Sequence, residues 1–240
     1  MTDHHSPPVT GRFSALLFDL DGTLVDSAPD ISAAINRVLE RMGRPLLGVS
    51  DIQSLIHLPA PVLVEKALAL TGPAARQQDI DFLLSEFLEG YRRNPGQHTV
   101  LFPGAREALE RYMAAGIRLG LCTNKPEITC FPVLETLDLR RYFTAIVCGD
   151  TLDYHKPDPR HVLHTLDILG AAPRDAAFIG DTEVDMQAAR NAGLPSICVT
   201  FGYAQTPCDT LGADGLIDHF DELDETLRAI GERQTTPAPQ

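Results

Sequence analysis

Short unbroken apolar runs, separated by stretches of helical period, set the pattern of the chain. Ala15-Leu16-Leu17-Phe18 is the first such run, and it stops at Asp19. Residues 117–122, 145–148, 176–179, 196–200 and, more weakly, 215–217 repeat the form. Runs this short and this continuous predict strands buried on both faces of a parallel sheet. Between them, residues 104–115, 127–137, 159–169 and 183–192 space their apolar positions roughly as a helix does. Strands alternating with helices predict an α/β fold, a doubly wound parallel sheet with helices on both faces. Pro132, inside the second of these helices, predicts a kink or an early end.

One segment breaks the alternation. Between Asp26 and Thr99 no strand is predicted; residues 29–41, 62–70 and 80–93 each read as a helix with one apolar face. Gly43-Arg44-Pro45, Thr71-Gly72-Pro73 and Asn94-Pro95-Gly96 punctuate them as turns. The expectation is a core built from residues 1–26 and 99–240, with a helical cap domain at 27–98 joined to it by a two-stranded hinge. The tail, 234–240, holds two prolines and no large apolar residue, and predicts disorder.

Composition narrows the classes. The chain has 240 residues and 44% hydrophobic positions, enough for a packed core and too many for a disordered chain. A formal net charge of −13 argues against nucleic acid or an anionic membrane surface as partner. Five scattered cysteines without a C-x-x-C pair support neither a zinc ribbon nor a disulfide scaffold, and they read as buried thiols. No apolar stretch approaches a membrane span, and the polar first residues do not read as a signal peptide. A cytoplasmic protein is expected, as a monomer or a homodimer.

Candidate chemistry falls at the strand ends, where open α/β sheets bind ligands. Asp19 and Asp21 flank one leucine at the end of the first strand. A tight turn there would point both into one site, and solvent-facing turn aspartates are the other reading. Asp181 ends a second strand, with Asp185 four residues on; a helix N-cap accounts for that pair taken alone, but not for a second acidic strand end in the same sheet. Thr123 and Asn124 end a third strand and offer donors suited to an anion. Of only three lysines, Lys125 and Lys156 fall in strand-to-helix loops, as counter-charges or as solvated side chains, while Lys66 falls in the helical segment. Carboxylates beside a phosphate call for Mg²⁺, and an aspartate can be a nucleophile toward phosphorus.

Phe18-Asp19-Leu20-Asp21-Gly22-Thr23-Leu24-Val25-Asp26-Ser27 resembles the first motif of the haloacid dehalogenase-like superfamily. Thr123-Asn124-Lys125, Lys156-Pro157-Asp158-Pro159 and Gly180-Asp181-Thr182-Glu183-Val184-Asp185 are similar to its second, third and fourth motifs, in order. The resemblance implies the Rossmann-like core of that family with a helical cap, and an Mg²⁺-dependent phosphatase acting through an aspartyl-phosphate. It implies Asp19 as nucleophile and Asp21 as general acid and base. Asp19, the backbone carbonyl of Asp21 and Asp181 would be the metal ligands, with Asp185 in support. Thr123, Asn124 and Lys156 would hold the phosphoryl group. Asp21 separates the chain from the dehalogenase branch, since an alkoxide leaving group needs a proton and a halide does not.

Residues 193–203 and 62–68 resemble bacterial phosphoglycolate phosphatases, which implies 2-phosphoglycolate as the small phosphate-ester substrate. Gln53-Ser54-Leu55-Ile56-His57-Leu58-Pro59-Ala60 departs from them, with neither the usual glycine nor the usual arginine. His57, Gln53, Lys66, Arg92 and Arg93 are the candidates to replace that arginine. A sugar phosphate, a nucleotide, pyrophosphate or a mutase reaction stays open on the same core. A phospho-receiver domain is about half this length without a helical insert, and a non-catalytic binding protein would not need the Asp19/Asp21 pair.

Overall fold

A computed structural model describes residues 11–73, 75–93 and 96–235. The elements run β1 (Ala15–Phe18), β2 (Val25–Asp26), α1 (Ala28–Arg41), α2 (Val49–Gln53), α3 (Ala60–Leu70), α4 (Gln77–Arg93), β3 (Val100–Leu101) and α5 (Ala105–Ala114). They continue with β4 (Arg118–Cys122), α6 (Glu127–Thr136), β5 (Ala145–Val147), α7 (Pro159–Leu169), β6 (Ala176–Gly180), α8 (Glu183–Ala192), β7 (Ser196–Val199), β8 (Gly215–Ile217) and α9 (Leu223–Thr235).

Six strands form one parallel sheet in the order β5-β4-β1-β6-β7-β8. The chain winds outward from β1 through β4 to β5, then returns across β1 and winds the other way from β6. The order therefore reverses between β1 and β6, and the crevice beyond their carboxyl ends is the place for a ligand. Successive side chains of β1 serve opposite faces. Leu16 and Phe18 pack with Ala108 and Leu109 of α5 and Leu227 of α9, and Ala15 and Leu17 pack with Val162 and Leu166 of α7 and Ala188 of α8. Burying each large apolar side chain here contributes about 1.5–3 kcal/mol.

The helices α1, α3 and α4 share a separate apolar cluster. Ile31, Ile35 and Val38 of α1 meet Leu63 and Val64 of α3 and Leu83 and Phe87 of α4. Two crossings join this insert to the sheet domain, and they pair as a short antiparallel ribbon, Val25 with Leu101 and Asp26 with Val100. Asp30, buried in the first turn of α1, accepts hydrogen bonds from the backbone N–H groups of His98 (3.0 Å) and Thr99 (2.9 Å) and from the Thr99 hydroxyl (2.6 Å). One carboxylate thus ties the outgoing crossing to the returning one.

The expected strands and helices are present, four of them with the expected ends and the others with ends shifted by up to three residues. Helix α6 continues through Pro132 rather than breaking: the proline sits in the second turn, where its missing N–H removes a single bond to the first turn. Gln234 and Thr235, expected in a disordered tail, close α9; residues 236–240 lie outside the described residues. The short helix α2 and the last helix α9 have no counterpart in the sequence reading, whereas the two-stranded hinge expected near Asp26 and Thr99 is the β2–β3 ribbon. Among the described residues no helix is long and apolar enough to cross a membrane. All five cysteines are free, and four of them are buried.

Candidate active site

The chain leaves β1 in a tight turn gathered on one carbonyl. Leu20 O accepts from the N–H groups of Thr23 (3.3 Å), Leu24 (2.9 Å) and Val25 (3.0 Å), while the Leu20 side chain is buried in the core. Asp19 and Asp21, on either side, are thereby presented to one pocket. Gly22 makes the turn possible: its φ is +86°, and a Cβ there would stand 2.2 Å from Asp181 Oδ2. Gly202 backs the same carboxylate from the other side, with 2.3 Å between a hypothetical Cβ and Asp181 Cβ.

Asp19, Asp21, Thr123, Asn124, Lys125, Lys156 and Asp185 line one hollow at the β1/β6 crevice, partly open to solvent. Asp181 lies beneath it: Asp19, Asp181 and Asp185 each bring a carboxylate oxygen within 4.8 Å of the others. The convergence of strand ends expected from the sequence is therefore what the fold produces.

Each charge has a defined place. Lys156 Nζ lies 2.6 Å from Asp185 Oδ1 and 3.0 Å from Asp19 Oδ1. Burial by itself would lower Lys156, but the charges of Asp185 and Asp19 reverse this and hold it protonated. Lys125 Nζ donates to both oxygens of Asp21, at 3.0 and 3.1 Å, and is likewise kept charged against burial by Asp21. The Ser27 hydroxyl adds a 2.6 Å hydrogen bond to Asp21 Oδ1. Asp185 spends its second oxygen on the start of α8, accepting from Thr182 N (3.1 Å) and Thr182 Oγ1 (2.8 Å). It is a holder of Lys156 and of the helix start.

Asn124 also works within the site. Its amide donates to Lys156 O and accepts from Lys156 N, both at 3.0 Å, which fixes the loop that carries the lysine. The side chain is committed to that loop, so the donors this strand end turns toward an anion are the Thr123 hydroxyl and backbone N–H groups.

The four buried carboxylates face two ammoniums, so full ionisation leaves two surplus negative charges out of water. Burial pushes Asp19 up to about 6 against the pull of Lys156. Burial, with the charges of Asp185 and Asp19, raises Asp181 well above the usual carboxylate range. A divalent cation matches that surplus, and an all-oxygen donor set suits a hard one. Asp19 Oδ1 is buried and accepts no hydrogen bond of good geometry, which leaves a lone pair for a ligand. Asp181 receives Thr23 Oγ1 (3.1 Å) on one oxygen and Tyr203 N (2.7 Å) on the other, so its orientation is fixed. The residues present fit a metal ion.

Lys125, left open by the sequence, belongs to the pocket. Tyr203, Ser27 and Tyr91 were not anticipated as site residues. Tyr203 reaches from Asp181 to the hinge, where its hydroxyl accepts from Ser27 N (2.8 Å) and Ala28 N (3.1 Å) and donates to Asp26 (2.6 Å). Of the cap residues expected to stand in for the missing arginine, only His57 lines the hollow, and burial lowers its pKa. Arg92 and Arg93 pair with Glu89 on the outside of α4, Lys66 is exposed, and Gln53 is half-buried away from the pocket.

The motif order and this geometry agree with what the chain is similar to. The family model described as haloacid dehalogenase-like hydrolase matches residues 16–199. A phosphoglycolate phosphatase of Agrobacterium fabrum is 41% identical over 88% of this chain and 91% of its own length. One from Caulobacter vibrioides is 35% identical over 94% of each chain. The crystal structure of a predicted phosphoglycolate phosphatase from Haemophilus somnus superposes with a TM-score of 0.85 at 28% identity, covering 89% of this chain and 97% of that one. With the Asp19/Asp21 pair and its two lysines in place at the switch point of the sheet, the chain belongs to the haloacid dehalogenase-like hydrolase family and is a phosphatase within it.

Proposed function

We propose that the protein is an Mg²⁺-dependent phosphomonoester hydrolase that works through an aspartyl-phosphate on Asp19, with 2-phosphoglycolate as substrate. The observation that carries this reading is the buried cluster at the β1/β6 crevice: a nucleophile candidate with a free lone pair, a second carboxylate two residues on, and two lysines paired to these carboxylates. The relatives' names supply the substrate.

In this reading Asp19 attacks phosphorus, and the ester oxygen leaves with a proton from Asp21. Water then attacks the phosphorus of the aspartyl-phosphate, Asp21 takes its proton, and Asp19 is regenerated. Thr123 and Lys156 hold the phosphoryl oxygens. Asp19, Asp181 and the Asp21 backbone carbonyl would hold Mg²⁺, with Asp185 in support. Bound there, the ion neutralises charge between the carboxylates and the phosphoryl group. Residues 27–98 act as the cap, with 1–26 and 99–240 as the catalytic core, and the cytoplasm is the compartment.

The test is a panel of 2-phosphoglycolate, a sugar phosphate, a nucleoside monophosphate and pyrophosphate, assayed in Mg²⁺ and in excess EDTA. The reading expects Mg²⁺-dependent hydrolysis with phosphoglycolate first by kcat/KM. Full activity in EDTA contradicts the mechanism, and phosphoglycolate in last place contradicts the substrate.

A further inference from the structure

Beside the phosphoryl pocket a second hollow opens under the helical insert, with about 330 Å³ of free space, part of it open to solvent. The two hollows share Asp21, Ile56, Asn124 and Lys125 in their walls, so a ligand whose phosphate sits by Asp19 extends its other end into the second. The walls contributed by the insert are mainly apolar, with Ile31, Ile56, Leu63 and Phe87 among them. Among the described residues that line it, Lys125 is the only cation, and it comes from the core and not from the insert.

Lysine has three N–H donors. Two of those on Lys125 are directed at Asp21, at 3.0 and 3.1 Å. The third meets Tyr91 Oη at the longer distance of 3.3 Å, with the ammonium 4.5 Å from the centre of the Tyr91 ring. The Tyr91 hydroxyl is also hydrogen-bonded to Thr99, whose own proton goes to Asp30, so the phenol is held in place beside the ammonium. The bond to Tyr91 is the longest of the three, so an anion entering the apolar hollow can take that ammonium N–H, with the phenol ring holding the lysine in position. Apolar walls offer nothing to a chain of hydroxyl groups, and burying hydroxyls without partners is unfavourable.

We infer that Lys125 and Tyr91 form the leaving-group subsite, and that it selects phosphate esters of short, hydroxyl-poor, anionic alcohols such as hydroxy acids. This rests on the phosphatase reading above and deepens it. The cation that reads the substrate's second anion is supplied by the loop after β4, two residues beyond Thr123, in place of an arginine from the insert. The insert contributes the phenol and the fit.

The experiment compares kcat/KM for 2-phosphoglycolate and for ethyl phosphate, which lacks the carboxylate, in the wild type and in Lys125→Gln, Lys125→Arg and Tyr91→Phe. Lys125 touches Asp21, so both rates fall in Lys125→Gln, and the ratio of the two is the readout. The ratio is expected to drop about 10- to 100-fold in Lys125→Gln, as for loss of a charged hydrogen bond, and a few-fold in Tyr91→Phe, with partial retention in Lys125→Arg. A purely structural role for Lys125 lowers both rates alike; an unchanged ratio in Lys125→Gln and Tyr91→Phe overturns the inference while leaving the phosphatase reading intact. A wild type inert toward both esters overturns that reading, and this inference falls with it.

Discussion

The sheet domain and the helical insert meet at the same pocket and build it from opposite materials. Every lysine and carboxylate in its walls comes from the sheet domain: Asp19 and Asp21 after β1, Lys125 after β4, Lys156 before α7, Asp185 in the first turn of α8. The insert brings apolar walls, the Tyr91 hydroxyl and the His57 ring. Its own buried carboxylate, Asp30, is spent on the hinge. All of these charges but Lys156 follow strands hydrogen-bonded on both sides, whereas shape is assigned to the part that joins the rest through a two-stranded ribbon. The difference teaches where a change should alter chemistry and where it should alter choice of substrate.

The largest effect should come from Asp19→Asn. The amide keeps the shape of the side chain but cannot form the acyl-phosphate, so turnover should vanish while circular dichroism and melting show a folded protein. Near-wild-type activity in that variant would break the assignment of chemistry to the sheet domain. Asp21→Asn should follow, with kcat lower by ~10²–10⁴, the usual worth of general acid–base catalysis. Asp30→Ala probes the joint between the two regions. It leaves the N–H groups of His98 and Thr99 without their acceptor, and urea unfolding should show a loss on the order of 2–3 kcal/mol. At the small end, Lys66→Ala and Arg92→Ala should leave kcat/KM for phosphoglycolate within about twofold, as expected of exposed surface charges. A tenfold loss in either would mean that the insert does supply the cation that reads the substrate.

The same contrast governs what the sequence made legible. The strand β1 announces itself because a buried parallel strand must be apolar throughout, and Asp19 stands out because it ends such a run. Glycines and prolines around α7 and α8 mark those helices to the residue. The pocket's second lysine was less visible: a lysine in a loop looks the same in sequence whether water or an aspartate 104 positions away is its partner. Asp30 was hidden in the same way, since a carboxylate in the first turn of a helix reads as ordinary helix-dipole complementarity, while its partners lie 68 and 69 residues on. The five residues of α2 are too few to show a period. In α9 the buried face rests on Leu223, Leu227 and Ile230, set among charged residues. The missing arginine of the Gln53–Ala60 stretch could be seen; its replacement could not, because it depends on which core side chain the insert faces.

In the proposed mechanism Asp19 carries the phosphoryl group during turnover. The most direct measurement is acid quenching of the protein while it hydrolyses 2-phosphoglycolate in Mg²⁺, followed by peptide mass analysis of the segment around β1. The expected result is a peptide heavier by one phosphoryl group at Asp19, labile to hydroxylamine and absent from Asp19→Asn. Steady hydrolysis with that peptide unmodified at every quench time, under conditions that preserve acyl-phosphates, or label on another residue, would contradict it.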